Sequence, residues 1–140
     1  MKDPSEASVA HSNEEVVRRF LHLVDNRRFD ELDSVLAPGL RFHFGNATFD
    51  RDELVSLIRS FYVAFPDLTH SIEEIFSAGN RVVARAADTA THLGEFNGIA
   101  ATHREIAVGQ IAIYTLEAGQ IVEVWEQADI AALLEQISFE

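Results

Sequence analysis

Cysteine is missing from all 140 residues, and that absence removes disulfides, thiolate nucleophiles and cysteine zinc sites together. It leaves the redox compartment open. Positive charge is scarce: 11 Lys+Arg stand against 23 Asp+Glu, a formal net charge of -12. A field of that sign repels phosphate backbones and anionic membranes, so neither nucleic acid nor a membrane is expected as a partner. No run of about eighteen apolar residues occurs, so no spanning helix is expected. The start, Met1-Lys2-Asp3-Pro4-Ser5-Glu6, lacks the apolar stretch behind basic residues that a secretory signal needs, and the expectation is a cytoplasmic protein. Of the six histidines, none pairs with another at a metal-ligating spacing and no His-Glu-x-x-His occurs, so no metal is expected.

A hydrophobic fraction of 47% with 24% charged residues is that of a folded domain. At this length one domain is expected, able to bury roughly two thirds of its unfolded surface without metal or disulfide.

Residues 1–12 are polar and patternless and are expected to form a flexible arm, with a single domain over 13–140. From Asn13, an N-cap residue, Val16, Val17, Phe20, Leu21, Leu23 and Val24 recur at helical spacing. A second short helix is expected from Phe29 to Leu36, stopped by Pro38-Gly39. Leu40 to Phe44 alternates as a strand, and Asp50 caps a third helix that Pro66 ends. The period then changes from 3.6 to 2. Leu68 to Ser77 and Arg81 to His92 form a hairpin around Ala78-Gly79-Asn80. Arg104 to Leu116 and Ile121 to Gln127 form another, and a terminal helix opens near Asp129.

Helices followed by a run of strands indicate α+β architecture with an antiparallel sheet. Strands of ten residues or more twist and curl. A curled sheet under amphipathic helices makes a cone with an interior suited to a small apolar molecule.

Three ordered stretches carry a resemblance: Phe65-Pro66-Asp67-Leu68-Thr69-His70, Thr91-His92-Leu93-Gly94-Glu95-Phe96-Asn97-Gly98-Ile99, and Gly119-Gln120-Ile121-Val122-Glu123-Val124-Trp125-Glu126-Gln127-Ala128-Asp129. Together they resemble the SnoaL-like polyketide cyclases, or ester cyclases, of the nuclear-transport-factor-2-like superfamily. The resemblance implies a cone-shaped NTF2-like (cystatin-like) α+β barrel, with three N-terminal helices on a curved antiparallel sheet and a short C-terminal helix. It also implies an aldol-type ring closure without metal or organic cofactor, with an aspartate near the end of the last strand as acid/base. That aspartate corresponds to Asp129. Two departures stand out: Ala112 and Tyr114 occupy places where cyclising members often carry polar groups, and Thr102-His103 stands where the loop usually ends in Thr-Gly.

On alternation, Trp125, Gln127 and Asp129 share one face of the last strand. If that face is concave, burial raises the Asp129 carboxyl towards the range useful for proton abstraction; the plainer alternative is a helix N-cap. His92, on a face with Ala84, Ala86, Asp88 and Ala90, could donate to a ligand carbonyl or steady an enolate, or simply hold the following loop. Gln110 and Tyr114 share an otherwise apolar face and could orient a ligand. Phe61, Phe65 and Phe96 are candidate lining residues. His43 is a further contact candidate, with core or rim packing as its alternative.

Two functions remain open. One is acid/base catalysis, cyclisation or isomerisation, on an apolar carbonyl compound, with Asp129 as base and His92 assisting. The other is a non-catalytic module for hydrophobic ligands or for dimerisation. Apolar residues on both faces of the long strands, Ile106 and Val108 against Ile111 and Ile113, predict a homodimer through the outer sheet face.

Overall fold

The structure, a computed structural model, describes residues 4–138. The first helix, α1 (Pro4–Asp25), begins well before Asn13. It runs through most of the stretch expected to be an arm; residues 1–3 lie outside the described residues. No helix breaker intervenes between Pro4, suited to a first turn, and Asp25, so the helix outruns its apolar stripe. Beyond Asp25 the chain turns at Arg27, in the left-handed region with φ 58°.

Phe29–Ser34 forms a short 3₁₀ helix rather than an α-helix. It stops early because Leu36 already belongs to the first strand. That strand, β1 (Leu36–Phe44), contains Pro38 and Gly39 instead of starting after them. The register with its neighbour shifts between Leu36 and Arg41, and such an irregularity is where a strand tolerates proline. A short edge strand, β2 (Ala47–Phe49), folds back on β1.

The second helix, α2 (Arg51–Ala64), opens with a capping box. Asp50 accepts from the Glu53 backbone N–H at 2.9 Å, and Glu53 accepts from that of Asp50 at 2.9 Å. Strands β3 (Thr69–Ala78), β4 (Arg81–Thr91), β5 (Glu105–Glu117) and β6 (Gln120–Ala128) follow as a meander, then α3 (Ile130–Ser138).

The sheet order is β2-β1-β6-β5-β4-β3. All pairs are antiparallel except β1 with β6, which run parallel. This corrects the expectation of a wholly antiparallel sheet. The meander curls back until its last strand lands beside the first, a pairing far apart in the chain. The sheet is also open, with β2 and β3 as edges, rather than closed into a barrel. Helices lie across its concave side, where the core collects Val17, Leu23, Leu32, Val82, Ile121 and Val124.

Beyond β4 the chain crosses the end of α2. The backbone N–H groups of Leu93 and Gly94 both donate to the Ala64 carbonyl at 3.0 Å. A Cβ on Gly94 would stand 2.4 Å from the Val63 carbonyl oxygen. Only glycine permits that approach, which ties the Thr-His-Leu-Gly motif to α2 and closes one side of the interior.

Candidate active site

The interior is a cavity of about 120 Å³ on the concave face. Its walls are apolar: Phe20, Leu21 and Val24 from α1, Leu54, Ile58 and Phe61 from α2, Phe65 just beyond it, and Ile130 and Leu133 at α3. Tyr62 of α2 also lines it, and the strands contribute four ionisable or amide-bearing residues, His70, Asp88, Gln110 and Glu126.

These four come from four adjacent strands. His70 on β3 stands directly opposite Asp88 on β4. Gln110 on β5 pairs with Ala86, which puts it diagonal to Asp88. Ala128 pairs with Gln110, so Glu126, two residues earlier on β6, is the next diagonal position. Alternation directs all four to the same face, making a polar diagonal across an apolar wall.

One end of the diagonal is anchored by Asp25, the last residue of α1. Its carboxylate accepts the His70 backbone N–H at 3.1 and 3.2 Å and faces His70 Nδ1 at 2.5 Å. The Tyr62 hydroxyl donates to the Leu68 carbonyl at 3.0 Å, with the Asp25 carboxylate 3.4 Å away. With Nδ1–H turned to Asp25, His70 Nε2 is 3.9 Å from Asp88 Oδ2. Gln110 Nε2 donates to the same oxygen at 2.5 Å. The other oxygen, Asp88 Oδ1, is buried and has no partner among the described residues.

Burial opposes protonation of His70, but the hydrogen bond to Asp25 and the charges of Asp88 and Asp25 prevail and raise its pKa. Asp88 is also raised, by burial, against the pull of His70 and the Gln110 amide. Glu126 moves furthest among the carboxyls. Burial first, then the Asp88 charge, push it from 4.5 to about 7, with His70 opposing. The cavity therefore holds a histidine inclined to be cationic, a partnered carboxylate, and a carboxyl poised near neutrality.

Of the residues expected from sequence, Gln110, Phe61 and Phe65 line the cavity. Phe96 sits behind the wall, its ring 5.5 Å from Phe61 and 5.2 Å from Phe65. Tyr114 is buried below the cavity, edge-on to Phe20 at 6.2 Å. His92 is fully buried outside the lining. Its Nδ1 faces the Thr102 hydroxyl at 2.9 Å and accepts that residue's N–H at 3.2 Å, so it holds the loop.

The face expected to point inward on β6 points outward. Trp125 is 54% exposed, and Gln127 and Asp129 are exposed as well. Asp129 Oδ1 accepts the Ala132 N–H at 3.0 Å as the N-cap of α3. His43 also lies on the outer side, stacked 3.7 Å beneath Trp125 and bonded to Glu123 at 2.8 Å and Thr48 at 3.0 Å. The expected alternation is present but shifted in phase by one residue, and one residue exchanges the faces of a strand. Glu126, flanked on its own face by Val124 and Ala128, is what that phase concealed. The contact between His70 and Asp25 leaves no mark in the sequence because it depends on α1 ending beside β3.

The family model for SnoaL-like polyketide cyclases matches residues 14–137. The chain belongs to this family. Solved structures agree in fold. A protein from Jannaschia sp. CCS1, provisionally described as a SnoaL-like polyketide cyclase, is 23% identical with a TM-score of 0.88, covering 100% of this chain and 98% of that one. AclR from Streptomyces galilaeus, provisionally described as a hydroxylase, is 21% identical with a TM-score of 0.86, covering 92% and 97%. An NTF2-like protein of unknown function from Burkholderia pseudomallei is 18% identical with a TM-score of 0.76, covering 91% and 98%. No curated protein matches the chain. The spread of these descriptions at similar fold leaves function to be argued from the site.

Proposed function

We propose that this SnoaL-like protein is a cofactor-independent acid/base enzyme acting on an apolar carbonyl compound, with Glu126 as the proton-transferring group. The observation that carries this reading is a buried carboxyl with its pKa raised to about 7 on an apolar wall that also carries, further along the polar diagonal, a histidine whose pKa is raised. Glu126 as carboxylate removes a proton from the carbon next to the substrate carbonyl. Negative charge then develops on the carbonyl oxygen, where His70 Nε2–H is available to donate. Asp25 keeps Nδ1 protonated and fixes the ring, which is the orienting role a carboxylate plays behind a histidine. Protonated Glu126 then returns its proton. Return to a different carbon is isomerisation, and attack of the enolate on a second carbonyl is aldol ring closure. A general base is most effective with its pKa near the working pH, the condition that the burial of Glu126 supports.

The test is deuterium uptake in D2O at the carbon next to the carbonyl of an aryl methyl ketone, followed by proton NMR. The wild-type protein is expected to accelerate uptake with saturation in ketone. Glu126→Gln should lower the rate by about 10²–10⁴-fold while keeping the fold by circular dichroism. Uptake within a few-fold of wild type in that variant removes the mechanism. Uptake no faster than buffer in the wild type favours the binding-module alternative.

A further inference from the structure

Two features of the cavity have no role in proton transfer: its size, and the unpartnered oxygen of Asp88. The volume of about 120 Å³ is comparable to the ~150 Å³ apolar cavity that takes up one benzene. That volume suits a single six-membered ring better than two fused ones, although the cavity is open to solvent on one side. Asp88 Oδ1 is buried without a partner, while Oδ2 is already taken by the Gln110 amide. A buried carboxylate oxygen lacking a donor is costly unless something entering the cavity supplies one. Glu126, across the diagonal, can donate to a carbonyl when protonated.

Charge narrows the choice further. Apart from Glu126, the carboxylates of Asp88 on the diagonal and Asp25 behind His70 already stand two to one against that histidine. An anionic ligand would add a further negative charge to a low-dielectric space.

We infer that the ligand is a neutral compound of one-ring size, carrying a hydroxyl that donates to Asp88 Oδ1 and a carbonyl directed toward Glu126 and His70. This deepens the proposed function and rests on the same cavity being the substrate site. It nevertheless makes separate claims, about binding selectivity rather than turnover.

The experiment is calorimetric titration of the full chain, at slightly acidic pH, with the three hydroxyacetophenone isomers. The comparison ligands are acetophenone, which lacks the donor; hydroxybenzoate, which is anionic; and a hydroxyacetonaphthone, which adds a ring. At least one hydroxyacetophenone is expected to bind about tenfold or more tightly than each of the three. Asp88→Asn should reduce its preference over acetophenone severalfold, because a neutral amide oxygen is a weaker acceptor than a carboxylate. Equal affinity for acetophenone, tighter binding of hydroxybenzoate or the naphthone, or no saturable binding of any hydroxyacetophenone at millimolar concentration overturns the inference. The wild-type series decides the matter even if Asp88→Asn fails to fold. Loss of the Glu126 mechanism in the deuterium experiment would leave this selectivity intact, so the two claims fail separately.

Discussion

The two faces of the sheet reverse the usual assignment of polar and apolar residues, and they do so side by side on the same strands. On the concave face, His70, Asp88, Gln110 and Glu126 sit among apolar walls. On the convex face, a row in direct register runs Phe76, Val83, Ile113, Trp125 and His43 across five strands. Phe76, Ile113 and Trp125 on that row are 50%, 38% and 54% exposed. Its flanks are charged, with Glu74 facing Arg85 at 3.4 Å and Glu123 facing Arg41 at 3.6 Å. Polar groups under cover indicate a small-molecule site, whereas an exposed apolar row with a charged rim indicates a protein surface. The sharpest way to test this division is to change one residue on each face and ask which property moves.

The largest effect is expected from Glu126→Gln, and it runs in opposite directions for turnover and stability. The folded pKa of Glu126 is about 7 against an ordinary 4.5. Between those values the folded chain holds a proton that the unfolded chain has lost. Stability therefore falls as pH rises through that window and stays low above it, by up to about 3 kcal/mol. Glutamine mimics the protonated acid and escapes this loss. The inactive variant should be more stable than wild type above pH 7, measured by urea unfolding, and nearly equal near pH 4.5. A smaller decline should persist in both proteins: the contribution of His70, whose pKa is raised from 6.5, is full below that value and fades as pH rises through the raised one.

On the convex face the expected partner is a second copy of the chain. Trp125→Arg places a charge in the middle of the row, at a residue type that commonly dominates interfaces. Sedimentation velocity should show a wild-type dimer at micromolar concentration and a dissociation constant raised by about 30-fold or more in the variant. Ligand affinity in the cavity should not change. A monomeric wild type removes the convex half of the comparison.

The difference between the faces also explains what could be read in the sequence. Element types came from periodicity, a local property. The inward faces of β4 and β5 were legible because Ala84, Ala86 and Ala90, and Ile106, Val108 and Ala112, give an unambiguous apolar side. On β6 both sides carry apolar residues, Val124 and Ala128 against Trp125. Placing the face of Trp125, Gln127 and Asp129 inward selects the side that is left exposed. That choice hid Glu126 and promoted Asp129. The Asp25–His70 contact and the parallel β1–β6 pairing bring together residues distant in the chain, about which spacing says nothing.

Asp129 offers a smaller contrast with Glu126, three positions away. Asp129→Ala removes the bond to Ala132 N–H and should cost about 1 kcal/mol, the usual loss for an N-cap. Deuterium uptake at saturating ketone should remain close to wild type. A loss comparable to that of Glu126→Gln would return the proton-transfer role to the helix cap.

The smallest expected effect belongs to Glu123, the other glutamate of β6 and the clearest partner for the comparison. Its side chain faces outward, 31% exposed, 3.6 Å from Arg41 and 2.8 Å from His43 Nε2. Exposed ion pairs contribute little, since water screens both charges and ordering the side chains opposes the gain. The bond to His43 is better shielded, but a glutamine oxygen can still accept it. Glu123→Gln should therefore change stability by less than about 1 kcal/mol and leave deuterium uptake unchanged. Two glutamates on one strand, given the same substitution, would then differ because one faces the cavity and the other the rim of the apolar row. A turnover loss in Glu123→Gln of the size expected for Glu126→Gln would mean that side-chain direction on β6 does not separate chemistry from surface.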